Sequence, residues 1–227
     1  MPPLATYQDF CIDATNAPAL AEFWAPLLGW EAHPHDDGDA CLRHGDQVMA
    51  WVNQVPEPVT VKNRLHLDIN ASSLDPALDS GAVIVDDTQP WTVLRDPDGQ
   101  LFCVFVRDEP LERRRPFELV WDVTGGVDET RSLADWWAQV LGVQAQHLPE
   151  DSLLEDVPGS PFECFVFGAV PEPKTTKNRI HIDVTTDDLP GLLSAGAHRL
   201  RAKGDGGIEW DVLQDPAGNE FCAFTRD

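Results

Sequence analysis

The apolar positions of the first half of the chain switch between two periods. Tyr7–Ala14 alternates, with Phe10 and Ile12 on one face and Asp9, Cys11 and Asp13 on the other, which predicts a half-buried strand. Ala19–Leu28 places Leu20, Phe23, Trp24, Leu27 and Leu28 at spacings of three and four and stops at Gly29, predicting an amphipathic helix. Strand-like runs follow at Trp30–His33, Ala40–Arg43 and Gln47–Asn53, divided by turn signals at Asp36–Asp39 and His44–Asp46. The pattern then restarts. In Arg64–Asn70, Leu65, Leu67 and Ile69 face one way while Arg64, His66, Asp68 and Asn70 face the other. A short helix around Leu74–Ser80 and strands at Ala82–Asp86, Trp91–Arg95 and Gln100–Arg107 complete it. Asp96-Pro97-Asp98-Gly99 makes the last turn, with Pro setting φ and Gly accepting positive φ.

The same text is written twice. VPEPVTVKNRLHLDI at Val55–Ile69 returns as VPEPKTTKNRIHIDV at Val170–Val184, and ten of the first fourteen positions are identical. Leu20-Ala21-Glu22-Phe23-Trp24 returns as Leu133-Ala134-Asp135-Trp136-Trp137, and Trp91–Gly99 returns as Trp210–Gly218. A match that long marks a duplication. The expected organisation is one domain at 1–108, a linker at 109–116 containing Arg113-Arg114-Arg115, and a second domain at 117–227. The fold class is α+β: four tandem βαβββ units, with helices covering one face of each sheet and the polar faces turned inward.

Composition narrows the function classes. A net charge of −23 repels phosphate backbones and argues against nucleic acid. No run of eighteen apolar residues or signal-peptide pattern is visible, so no membrane partner and a cytoplasmic location are expected. Cys11, Cys41, Cys103, Cys164 and Cys222 show no CxxC pair, which indicates neither a disulfide framework nor a structural zinc. The expected partner is a small molecule, and the chain is expected to be a monomer or a homodimer.

The order FWxxLLGW (Phe23–Trp30), NRxHxD (Asn63–Asp68 and Asn178–Asp183) and a DPxG turn leading to Phe102-Cys103 or Phe221-Cys222 resembles the glyoxalase-like branch of the vicinal oxygen chelate superfamily. That superfamily includes glyoxalase I, the bleomycin-resistance proteins and extradiol dioxygenases. The resemblance implies that the two units of each copy curl into a half-open cup with the site inside. It also implies a divalent metal such as Zn, Ni, Mn or Fe, held from the first strand, from the strand opening the second unit, and from the last strand. Carried over, those positions are Asp9, His66 and Cys103 in one copy and Glu118, His181 and Cys222 in the other. The histidines match the family pattern. The cysteines stand where a Glu is expected, and a small buried apolar role would equally suit them.

His66 and His181 admit two readings, a pocket base or metal ligand on one side and a salt-bridged structural row on the other. Each shares its strand face with Arg64 and Asp68, or with Arg179 and Asp183. An Asp beside a His fixes its tautomer and raises its pKa. Asp13 and Asp122 can contact ligand or pair with Arg64 or Arg179. Trp24, Trp91, Trp137 and Trp210 are expected to pack, whereas Trp51 and Trp30 are candidates to line a ligand cup. Glu220, opposite an apolar Leu101 in the repeat, points to the C-terminal copy. Two functions follow: a lyase, isomerase or oxygenase acting on a small oxygenated or aromatic metabolite, or a metal-free protein that sequesters a drug or metabolite.

Overall fold

The computed structural model describes residues 2–108 and 116–226. The expected Arg113–Arg115 cluster lies outside the described residues, and Pro116, assigned above to the linker, opens a strand. The first unit runs β1 (Thr6–Ala14), α1 (Ala17–Leu28), β2 (Glu31–Pro34), β3 (Ala40–His44) and β4 (Gln47–Gln54). The second runs β5 (Leu65–Ala71), α2 (Asp75–Asp79), β6 (Val83–Asp86), β7 (Thr92–Arg95) and β8 (Leu101–Val106). The third comprises β9 (Pro116–Thr124), α3 (Val127–Leu141), β10 (Ala145–His147), β11 (Asp151–Glu155) and β12 (Cys164–Val170). The fourth comprises β13 (Ile180–Thr186), α4 (Leu189–Ser194), β14 (His198–Arg201), β15 (Asp211–Gln214) and β16 (Glu220–Thr225). The helix α1 begins two residues earlier than its apolar period because Asn16 caps it, its Oδ1 accepting from Ala19 N at 3.2 Å. It ends where Gly29 adopts φ 75°, a conformation that favours glycine.

The strands form two eight-stranded sheets, ordered β14-β15-β16-β13-β1-β4-β3-β2 and β10-β11-β12-β9-β5-β8-β7-β6. The seam of the first is antiparallel pairing of β1 with β13, and that of the second is antiparallel pairing of β5 with β9. Each sheet therefore takes one unit from each copy. This corrects the expectation that the two units of one copy share a cup. The repeat sets which strand edges can pair, but both copies carry the same edges, so it does not say which copy supplies the partner. The segment from Val55 to Arg64 carries the chain from the first sheet to the second, and its twin before β13 carries it back.

The duplicated Asn-Arg pair clasps that crossing. Asn63 Oδ1 accepts from Arg179 N at 2.9 Å, and Asn178 Oδ1 accepts from Arg64 N at 3.3 Å. Both asparagines are buried, so each copy closes backbone bonds that the other leaves open.

The helices lie on the convex faces of the sheets, and these faces are turned toward each other. α1 packs on β2–β4 and also reaches β5, while α3 packs on β10–β12 and reaches β1. Trp24 on α1 meets Phe102 of the other sheet at 4.8 Å between ring centroids, and Trp137 on α3 meets Phe221 at 5.1 Å. One apolar core thus holds both sheets, leaving their concave, polar faces open outward. Trp30 joins this core against Phe10 at 6.2 Å and does not line a ligand cup. No described helix is long and apolar enough to cross a membrane.

Candidate functional site

On the concave face of the first sheet lies a cavity of about 750 Å³. Its floor is the seam where β1, β13 and β16 run side by side. Alternation turns Cys11 and Asp13 of β1 into the cup, while Phe10 and Ile12 enter the core. Cys11 stands opposite His181 in the register, and Asp183 stands opposite Cys222. Trp51, Trp210, Val212 and Phe224 give the walls an apolar, aromatic character. Trp210 is thus a wall residue, contrary to the packing role expected of it: it directly precedes β15 and stands beside Phe224 of β16 at 5.3 Å between ring centroids.

Four donors converge on this floor. Cys11 Sγ lies 3.5 Å from Asp183 Oδ2, Cys222 Sγ 3.5 Å from His181 Nε2, and His181 Nε2 3.5 Å from Asp183 Oδ1. Cys11, His181 and Asp183 each offer a ligand atom within 4.8 Å of the others. Tetrahedral zinc, with N and O at about 2.0–2.2 Å and S at about 2.3 Å, needs donors roughly 3.3–3.8 Å apart. His181 Nδ1 and Asp183 Oδ1 are buried without a hydrogen-bond partner. The set of sulfur, imidazole and carboxylate donors, with orphaned atoms among them, fits a borderline-soft divalent ion. Asp9 does not join this cluster at that distance. It faces Asp183 across the seam instead.

Burial dominates the electrostatics. It lowers the His181 pKa to about 4, so the ring is neutral at pH 7. It also lifts the Asp9 carboxyl to about 6, against hydrogen bonds from Gln8, Asp183 and Trp51. Burial and then the Asp9 charge push Asp183 well above the carboxylate range, which favours its protonated form. Burial and Asp183 raise both thiols, Cys11 and Cys222, which keeps them protonated unless a cation displaces the proton. Glu220 differs. Burial works against its charge, yet Lys174 at 2.8 Å and Asn178 N at 3.0 Å bring its pKa below the usual value.

The second sheet holds the other half of the expected residues. His66, Asp68 and Cys103 lie within 4.8 Å of one another. His66 Nδ1 donates to Asp68 Oδ1 at 2.8 Å, and its Nε2 lies 3.8 Å from Asp122. Burial opposes the charge on His66, but Asp68 and Asp122 outweigh it and raise the pKa. Glu118, opposite Asp68 in the register, bonds Cys164 Sγ at 3.8 Å and is lifted to about 7 by burial and by Asp68. The two histidines, identical in sequence context, are therefore poised oppositely: His66 is held by Asp68 at 2.8 Å with its pKa raised, whereas His181, with Asp183 at 3.5 Å, is lowered by burial.

The sequence-derived sets are thereby re-sorted. Asp9 belongs with His181 and Cys222, and Glu118 belongs with His66 and Cys103. Asp13 and Asp122 pair with Lys177 at 2.6 Å and Lys62 at 2.5 Å, not with the arginines. Arg179 is drawn away to Asp98 at 3.1 Å and to Glu57 O at 2.6 Å. Arg64 makes no ion pair among the described residues, and Trp51 lines the cavity as expected. Cys11 was missed. Its counterpart in the repeat is Val120, so a search for residues kept in both copies passes over it.

A profile of the glyoxalase-like domain matches residues 9–105 and again 119–224, and the chain belongs to that family, in two copies, within the vicinal oxygen chelate superfamily. No curated protein matches the sequence. Among solved structures, glyoxalase I from Zea mays superposes with TM-score 0.64 at 12% identity, covering 96% of this chain and 92% of that one. A putative dioxygenase from Bacillus subtilis gives 0.55 at 9% identity, covering 99% and 86%. The cppA protein of Streptococcus pneumoniae gives 0.50 at 12%, covering 97% and 99%. At such identities the likeness is one of fold.

Proposed function

We propose that the cup of the first sheet is the working site, and that it takes a small, planar, oxygenated or aromatic metabolite in the manner of a glyoxalase-like lyase, isomerase or oxygenase. The observation supporting this is the convergence of Cys11, His181 and Asp183, with Cys222 beside His181, at the base of an aromatic-walled cavity, with donor atoms left unpartnered. Cys11, His181 and Asp183 would hold a divalent ion, which supplies Lewis-acid polarisation of substrate oxygens when bound. Trp51 and Trp210 would clamp the flat face of the substrate. Asp9, lifted to about 6 and outside the ligand cluster, would serve proton transfer at the adjacent carbon or oxygen.

The test is metal content by mass spectrometry on protein purified without chelator, followed by Zn²⁺, Ni²⁺, Mn²⁺ and Fe²⁺ titration of the stripped protein. The reading expects about one ion per chain, lost in Cys11→Ala and His181→Gln and retained in His66→Gln. Absence of metal in every preparation, with no thermal shift on adding any of the four ions, would sink the metal-dependent reading. Asp39 and the aromatic walls of the same cavity favour a second reading, metal-free capture of a cationic planar compound. A panel of such compounds should then quench tryptophan emission in the stripped protein, and Trp51→Ala should abolish that response.

A further inference from the structure

A single row of paired residues crosses the concave face of each sheet. In the first it runs Arg201, Val212, Cys222, Asp183 and Asp9 over β14, β15, β16, β13 and β1. In the second the same register gives Asp86, Val93, Cys103, Asp68 and Glu118. Residues paired across a ladder share a face, so Arg201 stands on the cup side with Val212, and both line the cavity. The two rows agree in character except at their outer end, where the charge is reversed. Arg201 belongs to a run, His198-Arg199-Leu200-Arg201-Ala202-Lys203, that gathers basic residues in a chain of net charge −23. Its counterpart Val83–Asp86 holds none.

Most of the cavity's other charges are answered locally. Asp13 meets Lys177 at 2.6 Å, Glu220 meets Lys174 at 2.8 Å, and burial favours the protonated form of Asp183. Asp39, whose carboxylate accepts from Gln54 N at 2.7 Å, lies at the far end of the sheet, before β3. Arg201 makes no ion pair among the described residues. Its Nε and Nη2 both donate to Asp205 O, at 2.9 and 2.6 Å, which fixes the guanidinium and leaves its Nη1–Nη2 edge unspent. Gly206, at φ 62°, passes so close to Nη2 that a Cβ there would collide with it. The loop is thus folded around a held arginine. Asp86 instead turns its carboxylate to Thr88 N at 2.9 Å and to the Thr88 hydroxyl at 2.7 Å.

We infer that the cup takes a single-ring aromatic carboxylate, seated end-on upon the free edge of Arg201. This rests on the reading of that cup as the working site and names its substrate class. An arginine's planar fork receives a carboxylate through two parallel bonds, and its fixed orientation lowers the cost of ordering it. Neighbouring strands lie about 4.8 Å apart, so Arg201 and Cys222 stand roughly 10 Å apart along the row, a span that one ring with its carboxylate fills between their side chains. The ring lies over Val212 against the Trp210–Phe224 wall, and its far end reaches Cys222 and Asp183. Arg201 is thereby a specificity-determining residue, and the second cup, with Asp86 in that place, repels the same ligand.

Ligand-observed NMR titrations with benzoate, its neutral analogue benzamide and the cationic benzylammonium test this, on protein as purified and after chelation. Benzoate should bind about threefold to fivefold more tightly than benzamide at low salt, a margin that a partly exposed charge pair gives and that added salt erodes. Arg201→Gln should bring benzoate down to benzamide without weakening benzamide, and Arg201→Lys should recover part of the margin. Trp210→Ala should weaken both alike, which ties the binding to this cup. A benzoate preference that survives in Arg201→Gln, or equal binding of benzoate and benzamide, overturns the carboxylate assignment and leaves the cup reading standing. A preference for benzylammonium also overturns it and favours metal-free capture of cations. If neither benzoate nor benzamide binds, the assignment falls together with the aromatic cup.

Discussion

Removing Asn178 tests whether the duplicated Asn-Arg pair holds the two copies together. Asn178 is 1% exposed. Its Oδ1 accepts from Arg64 N at 3.3 Å, and its Nδ2 donates to Asn219 Oδ1 at 2.9 Å. Asn178→Ala deletes both bonds and strands two polar groups where water has little access, at about 1–3 kcal/mol each. The sum is roughly 2–6 kcal/mol. For a chain of this length that corresponds to a melting temperature lower by roughly 5–15 °C. Asn63→Ala should behave alike, since it loses the bond from Arg179 N at 2.9 Å and the bond to Leu65 O at 2.6 Å. Because the two asparagines brace the same crossing, the double variant should cost less than the sum of the singles, by about 0.5 kcal/mol or more. Calorimetric melting and urea titration of all four proteins measure this. Single losses below about 1 kcal/mol that add without coupling would show that solvent replaces these bonds and that the clasp does not join the copies.

His181 should impose an acid-side loss of stability. Its folded pKa is depressed to about 4 from the ordinary 6.5, so its contribution is fully present above pH 6.5 and is lost as pH falls to 4, by up to roughly 3 kcal/mol. The difference in urea stability between wild type and His181→Gln from pH 7.5 to 4 reports it, and a pH-independent difference refutes it. Asp96 runs the other way. Burial lifts it from 3.8 to about 6 despite bonds from Gln100 N and Asp98 N, so stability falls as pH rises from about 3.8 to about 6 and stays at that lower level above it. Asp96→Asn keeps an acceptor oxygen and should match or exceed wild-type stability at pH 8 while losing that advantage at pH 4, as melting curves at both values would show. Trp24→Ala should cost about 3–5 kcal/mol, since it opens a cavity where α1 of one sheet meets Phe102 of the other.

Much of this architecture was legible in the order of residues. The periods of two and near four placed β1, α1 and the strands of the first two units within a few residues, and the duplication placed the rest. The pairing of the units was not legible, because β5 and β13 offer identical edges and only the three-dimensional path of Val55–Arg64 and its twin chooses between them. The site was half legible. His181 and Cys222 came from the family pattern and Trp51 from its lack of a partner in the repeat. Cys11 is unique to one copy, and the opposite behaviour of His66 and His181 depends on whether the neighbouring Asp rotates onto the ring, 2.8 Å in one cup and 3.5 Å in the other. Trp210 was misjudged because an aromatic at the start of a strand reads the same whether it faces core or cavity.

The seams at β1–β13 and β5–β9 put inheritance and chemistry out of phase. A mutation in the first half of copy one and a mutation in the second half of copy two meet in the same cup, although they lie at opposite ends of the chain. The middle of the chain, from β5 to β12, encodes the other cup without interruption. After duplication, the two cups could therefore drift apart in polarity without either copy abandoning the motif that it shares with its twin. A comparison of copy with copy measures ancestry, whereas ends against middle measures specialisation.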